Sequence, residues 1–199
     1  MLRLYDFLDS GNGYKVRLLL QLLDTPYQLV PIDILRGESR TPEFLARNLN
    51  GRIPVLELPD GRHLAESNAI LCHLAEGTRY LPSDAFERAL CFQWLFFEQY
   101  SHEPNIATPR FWLRHGGLPE QRRWLLEHKQ ELGRAALAVM EAHLASRQYF
   151  VAERFTIADI ALYAYTHVAD QGGFDLAPYP AVRGWLARCA DRPGFFQLT

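Results

Sequence analysis

The stretch Asn50-Gly51-Arg52-Ile53-Pro54-Val55-Leu56, followed at close range by Glu66-Ser67-Asn68-Ala69-Ile70, constrains the fold of this chain more than any other part of it. Proline has no amide proton to give to a sheet ladder. Pro54, placed directly before the apolar Val55-Leu56, therefore marks the beginning or edge of a strand, and its peptide bond is a candidate for the cis form. Such a break turns the backbone groups of Ile53 away from the ladder, where a ligand can pair with them. Ser67 then stands where a helix should start, ahead of Asn68-Ala69-Ile70-Leu71-Cys72-His73-Leu74, so its hydroxyl and the first amides of that helix can hold a carboxylate. The two features together read as a peptide-binding edge beside an anion pocket.

The rest of the first third alternates strand and helix signals. Leu2–Phe7 reads as a strand, and Tyr14–Asp24 as a helix with Val16, Leu19, Leu20 and Leu23 on one face, stopped by Thr25-Pro26. Tyr27–Ile34 alternates as a second strand. Thr41-Pro42-Glu43-Phe44 is an N-cap with proline at the first helical position, and Val55–Leu58 and His63–Ala65 flank the turn Pro59-Asp60-Gly61-Arg62. The expected order is β-α-β-α-β-β-α over residues 1–77, with a linker at 78–84, in the run Gly77–Ser83 that contains Gly, Thr, Pro and Ser. Residues 85–199 carry almost no strand signal and are expected to be all-helical. Ala85–Tyr100 and Leu118–Ser146 read as long helices, Thr156 and Asp159 as a capping box, and Pro178, Pro180 and Pro193 as breaks into short pieces.

Composition narrows the function classes. The 21 basic and 23 acidic residues leave no basic field for a polyanion, which speaks against a nucleic-acid partner. No apolar run approaches membrane-spanning length, and the opening Met1-Leu2-Arg3-Leu4-Tyr5-Asp6 reaches an acid too early for a signal peptide, so a cytoplasmic protein without a membrane partner is expected. Cys72, Cys91 and Cys189 are odd in number and lack CxxC spacing, which indicates neither a disulfide framework nor a zinc knuckle. Glu98 and His102 lie one helical turn apart, yet no further ligand has suitable spacing, so no metal is expected. Gly11-x-Gly13 lacks the third glycine of a dinucleotide fingerprint.

Read in order, the motifs resemble the cytosolic glutathione transferase family across nearly the whole chain. Leu4-Tyr5-Asp6-Phe7 and Ser10-Gly11-Asn12-Gly13-Tyr14-Lys15-Val16-Arg17 are similar to its first strand and active-site turn. Gly51-Arg52-Ile53-Pro54-Val55-Leu56 is similar to its cis-proline segment, Glu66-Ser67 to its γ-glutamyl-binding pair, and Phe155-Thr156-Ile157-Ala158-Asp159 to its capping box. The chain departs from the family at Asn48-Leu49-Asn50, where many relatives have Asn-Pro-Asn. The resemblance implies a thioredoxin-like N-terminal domain followed by an all-helical C-terminal domain. It also implies glutathione as co-substrate, a two-fold homodimer, and a role in detoxification.

An enzyme of that kind must turn a ligand thiol into a thiolate. An ordinary cysteine thiol, with pKa about 8.5, is only about 3% ionised at pH 7, and lowering it by about two units requires about 2.7 kcal/mol of preferential anion binding. Ser10, before a helix, is placed to donate a hydrogen bond to sulfur, helped by the positive end of that helix. Asn12 is the second candidate, because Ser10-Gly11-Asn12-Gly13 resembles the Thr-Pro-Asn-Gly turn of the Nu-class relatives, in which hydroxyl and amide both approach sulfur. Both residues also read simply as a cap and a turn residue. Glu66 and Ser67 would bind the γ-glutamyl end, Ile53 and Pro54 the cysteinyl backbone with Arg52 beside them, and Ser39 and Arg40 fall near positions that contact the glycyl carboxylate in some classes.

For a second substrate, a small hydrophobic electrophile, disulfide or peroxide, the candidates are Tyr14, Tyr100 and Phe111, with Arg110 as a positive charge nearby. Two other functions stay open on the same fold. One is a glutathione-dependent disulfide reductase or peroxidase, and the other a non-catalytic binding protein. The first 70 residues contain no cysteine, which argues against chemistry through a protein thiol.

Overall fold

Leu4 and Tyr5 are neighbours on one strand, and because successive side chains of a strand face opposite ways they seed two separate apolar clusters. That strand, β1 (Leu2–Asp6), pairs in parallel with β2 (Tyr27–Pro31) and antiparallel with β3 (Val55–Glu57), which pairs antiparallel with β4 (His63–Ala65). The sheet order is β2-β1-β3-β4. A parallel pair needs a crossover, and α1 (Gly11–Leu22) supplies it. On one face Leu4 and Leu56 pack with Val16 and Leu20 of α1 and Ile70 of α3 (Ser67–Ala75). On the other, Tyr5 and Val55 pack with Phe44 of the short α2 (Pro42–Leu45). This is the expected β-α-β-α-β-β-α unit of thioredoxin-like type.

The protein is described by a computed structural model over residues 1–116 and 118–198. It divides into two units, one of Met1–Thr78 joined by the stretch from Gly194, the other Arg79–Pro193. The chain end thus associates with the first unit, which differs from the expectation of a helical domain running to residue 199. Tyr14 is the reason within reach: its hydroxyl donates to the Phe196 carbonyl at 2.5 Å, and the two rings meet edge-on at 5.2 Å.

The second unit is helical. α4 (Ala85–Phe97) is capped by Asp84, whose carboxylate accepts from the amides of Phe86 and Glu87. It does not run straight to Tyr100 as expected, because a π-helical turn at Glu98–His102 intervenes. Then comes α5 (Glu103–His115), which periodicity alone did not suggest. Pro104 falls where the π-helical turn passes into α5, and Pro109 is carried inside the helix. α6 (Arg123–Leu144), α7 (Ile157–Thr166) and α8 (Pro180–Ala190) complete the unit, and every residue of α7 is buried. The capping box at its start is formed as expected: Thr156 and Asp159 satisfy each other's backbone amides. Among the described residues no helix is long and apolar enough to cross a membrane.

Candidate functional site

Helix α1 begins three residues earlier than its apolar pattern suggests, and this places the Ser10-Asn12 turn at its mouth. Ser10 is half-buried and is the N-cap, with extended backbone (φ −83°, ψ 125°), and its Oγ accepts from the Gly13 amide at 3.4 Å. A hydroxyl that accepts a capping bond still has its own proton to donate. Asn12 follows in the first turn. Its Oδ1 accepts from the Ser67 hydroxyl at 3.3 Å and from the Lys15 ammonium at 2.8 Å, and Lys15 also donates to Ser67 Oγ at 3.3 Å. The starts of α1 and α3, far apart in sequence, are therefore tied side chain to side chain.

Lys15 carries no signal that sequence reading could weigh. It lies on the helix face beside Asn12, at i+3, and is wholly buried. A lysine in a helix is ordinarily solvated, so only the packed structure reveals it as part of the cluster.

Glu66 and Ser67 sit at the junction of β4 and α3. Glu66 is exposed and has φ 67° and ψ 112°, a region that costs a non-glycine residue about 1–3 kcal/mol and is found mostly at functional sites. Ser67 is 5% exposed. The Ile53-Pro54 bond is cis, and Ile53 lies ahead of the ladder that starts at Val55. Ile53 packs partly against the Tyr5 cluster, and exposed Arg52 offers its carbonyl to Asn48 Nδ2 at 2.8 Å. Arg40 is exposed and donates to the Asn50 carbonyl at 2.9 Å, while buried Ser39 lies with it against Gly51. Ser39, Arg40, Arg52, Ile53 and Pro54 thus gather around one loop.

The residues expected to receive a second substrate fare differently. Tyr14 is fully buried within the first unit and its hydroxyl is committed to Phe196, so packing accounts for it. Tyr100 is 86% exposed and lines a groove of the helical unit with Phe97, Pro104, Leu132 and Val139. Phe111 is not part of that lining and rests against His115 with ring centroids 5.1 Å apart. Arg110 is buried in the helical unit, with Nε donating to Gln171 Oε1 at 2.8 Å. Cys72 is partly exposed, whereas Cys91 and Cys189 are buried, and burial pushes the Cys189 thiol well up. Among the described residues no group of three His, Cys, Asp or Glu side chains is placed to hold a metal ion.

Beneath the turn lies Asp6, wholly buried, with Arg17 Nε 2.9 Å from its carboxylate. Burial pushes the Asp6 carboxyl up to about 7, and Arg17 only partly offsets this. A carboxyl whose folded pKa lies above its unfolded value holds its proton longer in the native state, so its contribution is complete below about pH 4 and is lost as pH rises through 7. The expected result is a fall of a few kcal/mol in unfolding free energy between pH 5 and pH 8. Asp6→Asn should have the shallower profile, as read by urea denaturation at several pH values. Parallel profiles would remove Asp6 as the cause.

Two family models match the chain: glutathione S-transferase, N-terminal domain, over residues 1–76, and glutathione S-transferase, C-terminal domain, over residues 95–193. Among curated proteins it is similar to the disulfide-bond oxidoreductase YfcG of Escherichia coli, 32% identical over 97% of this chain and 92% of that protein. Among solved structures it is similar to a glutathione S-transferase from Pseudomonas fluorescens, 51% identical over 99% of this chain and 98% of that one with TM-score 0.97. A possible glutathione S-transferase from Rhodopseudomonas palustris is 55% identical over 100% and 90% of the two chains with TM-score 0.95. A glutathione transferase from Burkholderia graminis with two glutathione molecules bound per subunit is 28% identical over 97% and 85%, with TM-score 0.84.

Proposed function

The chain belongs to the glutathione S-transferase family, and on that premise we propose that it binds glutathione on its first unit and activates the thiol as thiolate for attack on a hydrophobic electrophile. The observation that carries this reading is the bond between Asn12 and Ser67, which joins the start of α1 to the start of α3. A thiolate at the first helix end and a γ-glutamyl carboxylate at the second would each meet amide dipoles and a short polar side chain. Ser10 would donate its hydroxyl proton to sulfur while still capping α1, and Asn12 would add its amide N–H. Glu66 would draw the ligand ammonium, and Ile53, just outside the β3 ladder, would pair with the cysteinyl backbone. Arg52, Ser39 and Arg40 would face the glycyl end. Tyr100 and Phe111 are the remaining aromatic candidates for the electrophile.

Disulfide or peroxide reduction is the second reading, favoured by the Ser-x-Asn turn and by similarity to a protein named as a disulfide-bond oxidoreductase. There the glutathione thiolate attacks one sulfur of a disulfide, expels the other as thiolate, and a second glutathione resolves the mixed disulfide, with no protein cysteine taking part. As family members commonly do, the chain would act as a cytoplasmic two-fold homodimer. A monomer by light scattering would remove that part of the reading.

The decisive experiment titrates glutathione into wild type and Ser10→Ala across pH while recording thiolate absorbance and heat of binding. Wild type should bind with a thiol pKa about two units below its free value, and Ser10→Ala should return it by about one unit or more, roughly threefold less thiolate at pH 7. Loss of the cap will also lower stability by about 0.5–2 kcal/mol, which a melting curve separates from the thiol effect. An unperturbed thiol pKa in wild type would refute thiol activation, and absence of binding would favour a non-catalytic protein.

A further inference from the structure

Lys15 has no role in the chemistry assigned so far, although its position is unusual for a lysine. Its side chain is wholly buried, and taking an ammonium group out of water costs several kcal/mol unless oxygens replace the water. Two of the oxygens that do so are Asn12 Oδ1 at 2.8 Å and Ser67 Oγ at 3.3 Å.

An ammonium group donates and never accepts, so the Asn12 amide can face it only through Oδ1. The orientation of that amide is therefore dictated by chemistry, and its NH2 arm is directed to the opposite edge of the side chain. With Lys15 donating to Ser67, the serine oxygen is an acceptor toward the lysine, and its proton goes to the same Asn12 Oδ1. Three side chains thus form a closed ring with one consistent donor pattern. A neutral or acceptor side chain at position 15 would remove the reason for Asn12 to hold its amide this way round.

We propose that Lys15 is a positioning residue: its buried ammonium group turns the Asn12 amide so that the turn presents N–H rather than C=O to sulfur, and registers the α1 start against Ser67 at the α3 start. This deepens the glutathione reading and rests on it. The lysine sets the spacing between the sulfur end and the γ-glutamyl end of the ligand, and its charge lies within one hydrogen-bonded step of both.

The test compares wild type, Lys15→Met, Lys15→Arg, Asn12→Ala and the Lys15→Met/Asn12→Ala double variant. Glutathione titrations by calorimetry and by thiolate absorbance give affinity and bound-thiol pKa, and thermal melts check folding. Lys15→Met should weaken glutathione binding about tenfold and raise the bound thiol pKa by about one unit, and Lys15→Arg should recover part of the affinity. In the Asn12→Ala background the lysine change should add little to the thiol shift, because both act through one amide.

A folded Lys15→Met with wild-type affinity and thiol pKa, or a shift fully additive with Asn12→Ala, overturns the proposal while leaving the glutathione reading intact. Wild type that binds no glutathione overturns both. Should Lys15→Met not fold, the Asn12 side-chain amide of wild type decides by nitrogen-15 NMR. Its protons should shift on addition of glutathione and not on addition of S-methylglutathione to the same extent, and silence in both cases overturns the role.

Discussion

Asp159→Ala should destabilise the helical unit by about 4 kcal/mol or more, the largest loss expected from any single polar deletion in it. The Asp159 carboxylate accepts from the Thr156 amide at 2.9 Å, the Thr156 hydroxyl at 3.2 Å, the Phe150 amide at 3.3 Å and Trp185 Nε1 at 2.9 Å, all of them buried. Alanine would leave these donors without their acceptor where water cannot reach, and each such orphan costs about 1–3 kcal/mol. They also come from three places: the loop before α7, the α7 cap, and α8. One truncation therefore loosens three attachments. Asp159→Asn should be milder yet still costly, since one of its arms becomes a donor facing another donor. Urea denaturation followed by circular dichroism measures both. A loss below about 1 kcal/mol for alanine would mean that packing of α7 alone holds this corner.

Gly13→Ala is the second change with a large expected effect, and it acts on the site directly. A methyl group at Gly13 would overlap the carboxyl of buried Asp6, so one of the two must move. If Asp6 swings away, its contact with Arg17 is broken in the interior, and breaking a buried ion pair costs about 3–5 kcal/mol. If the first turn of α1 shifts instead, Ser10, Asn12 and Lys15 shift with it. Either way we expect a stability loss of about 3 kcal/mol and at least tenfold weaker glutathione binding, read by denaturation and calorimetry on the same preparation. Native stability together with native affinity would show that the turn has more room than its packing indicates.

These two positions also show what could be read early and what could not. The Thr156–Asp159 pair was legible because a capping box is local, its partners lying three residues apart. The reach of Asp159 to Trp185 was not, because nothing in sequence couples a carboxylate to an indole 26 positions away. Gly13 could be read as a turn glycine, but its real constraint is the Asp6 carboxyl, delivered by a neighbouring strand. The helix start was misplaced at Tyr14 because the apolar stripe begins there, whereas the cap at Ser10 extends α1 over two glycines that bear no stripe at all. Helix α5 was not expected at all, and it carries Pro104 near its start and Pro109 in its interior.

Periodicity and capping act over a few residues, so local pattern sufficed for the strand and helix order of the first unit, the change from mixed to helical structure, the proline edge at Pro54 and the helix start at Ser67. Contacts between residues distant along the chain depend on how elements pack, and these required the folded molecule. They include the ring of Asn12, Lys15 and Ser67, the return of the chain end to Tyr14, and the burial of Asp6 beneath the Ser10–Asn12 turn. A side chain has no burial or partner until the elements around it are assembled, and its chemistry changes with both.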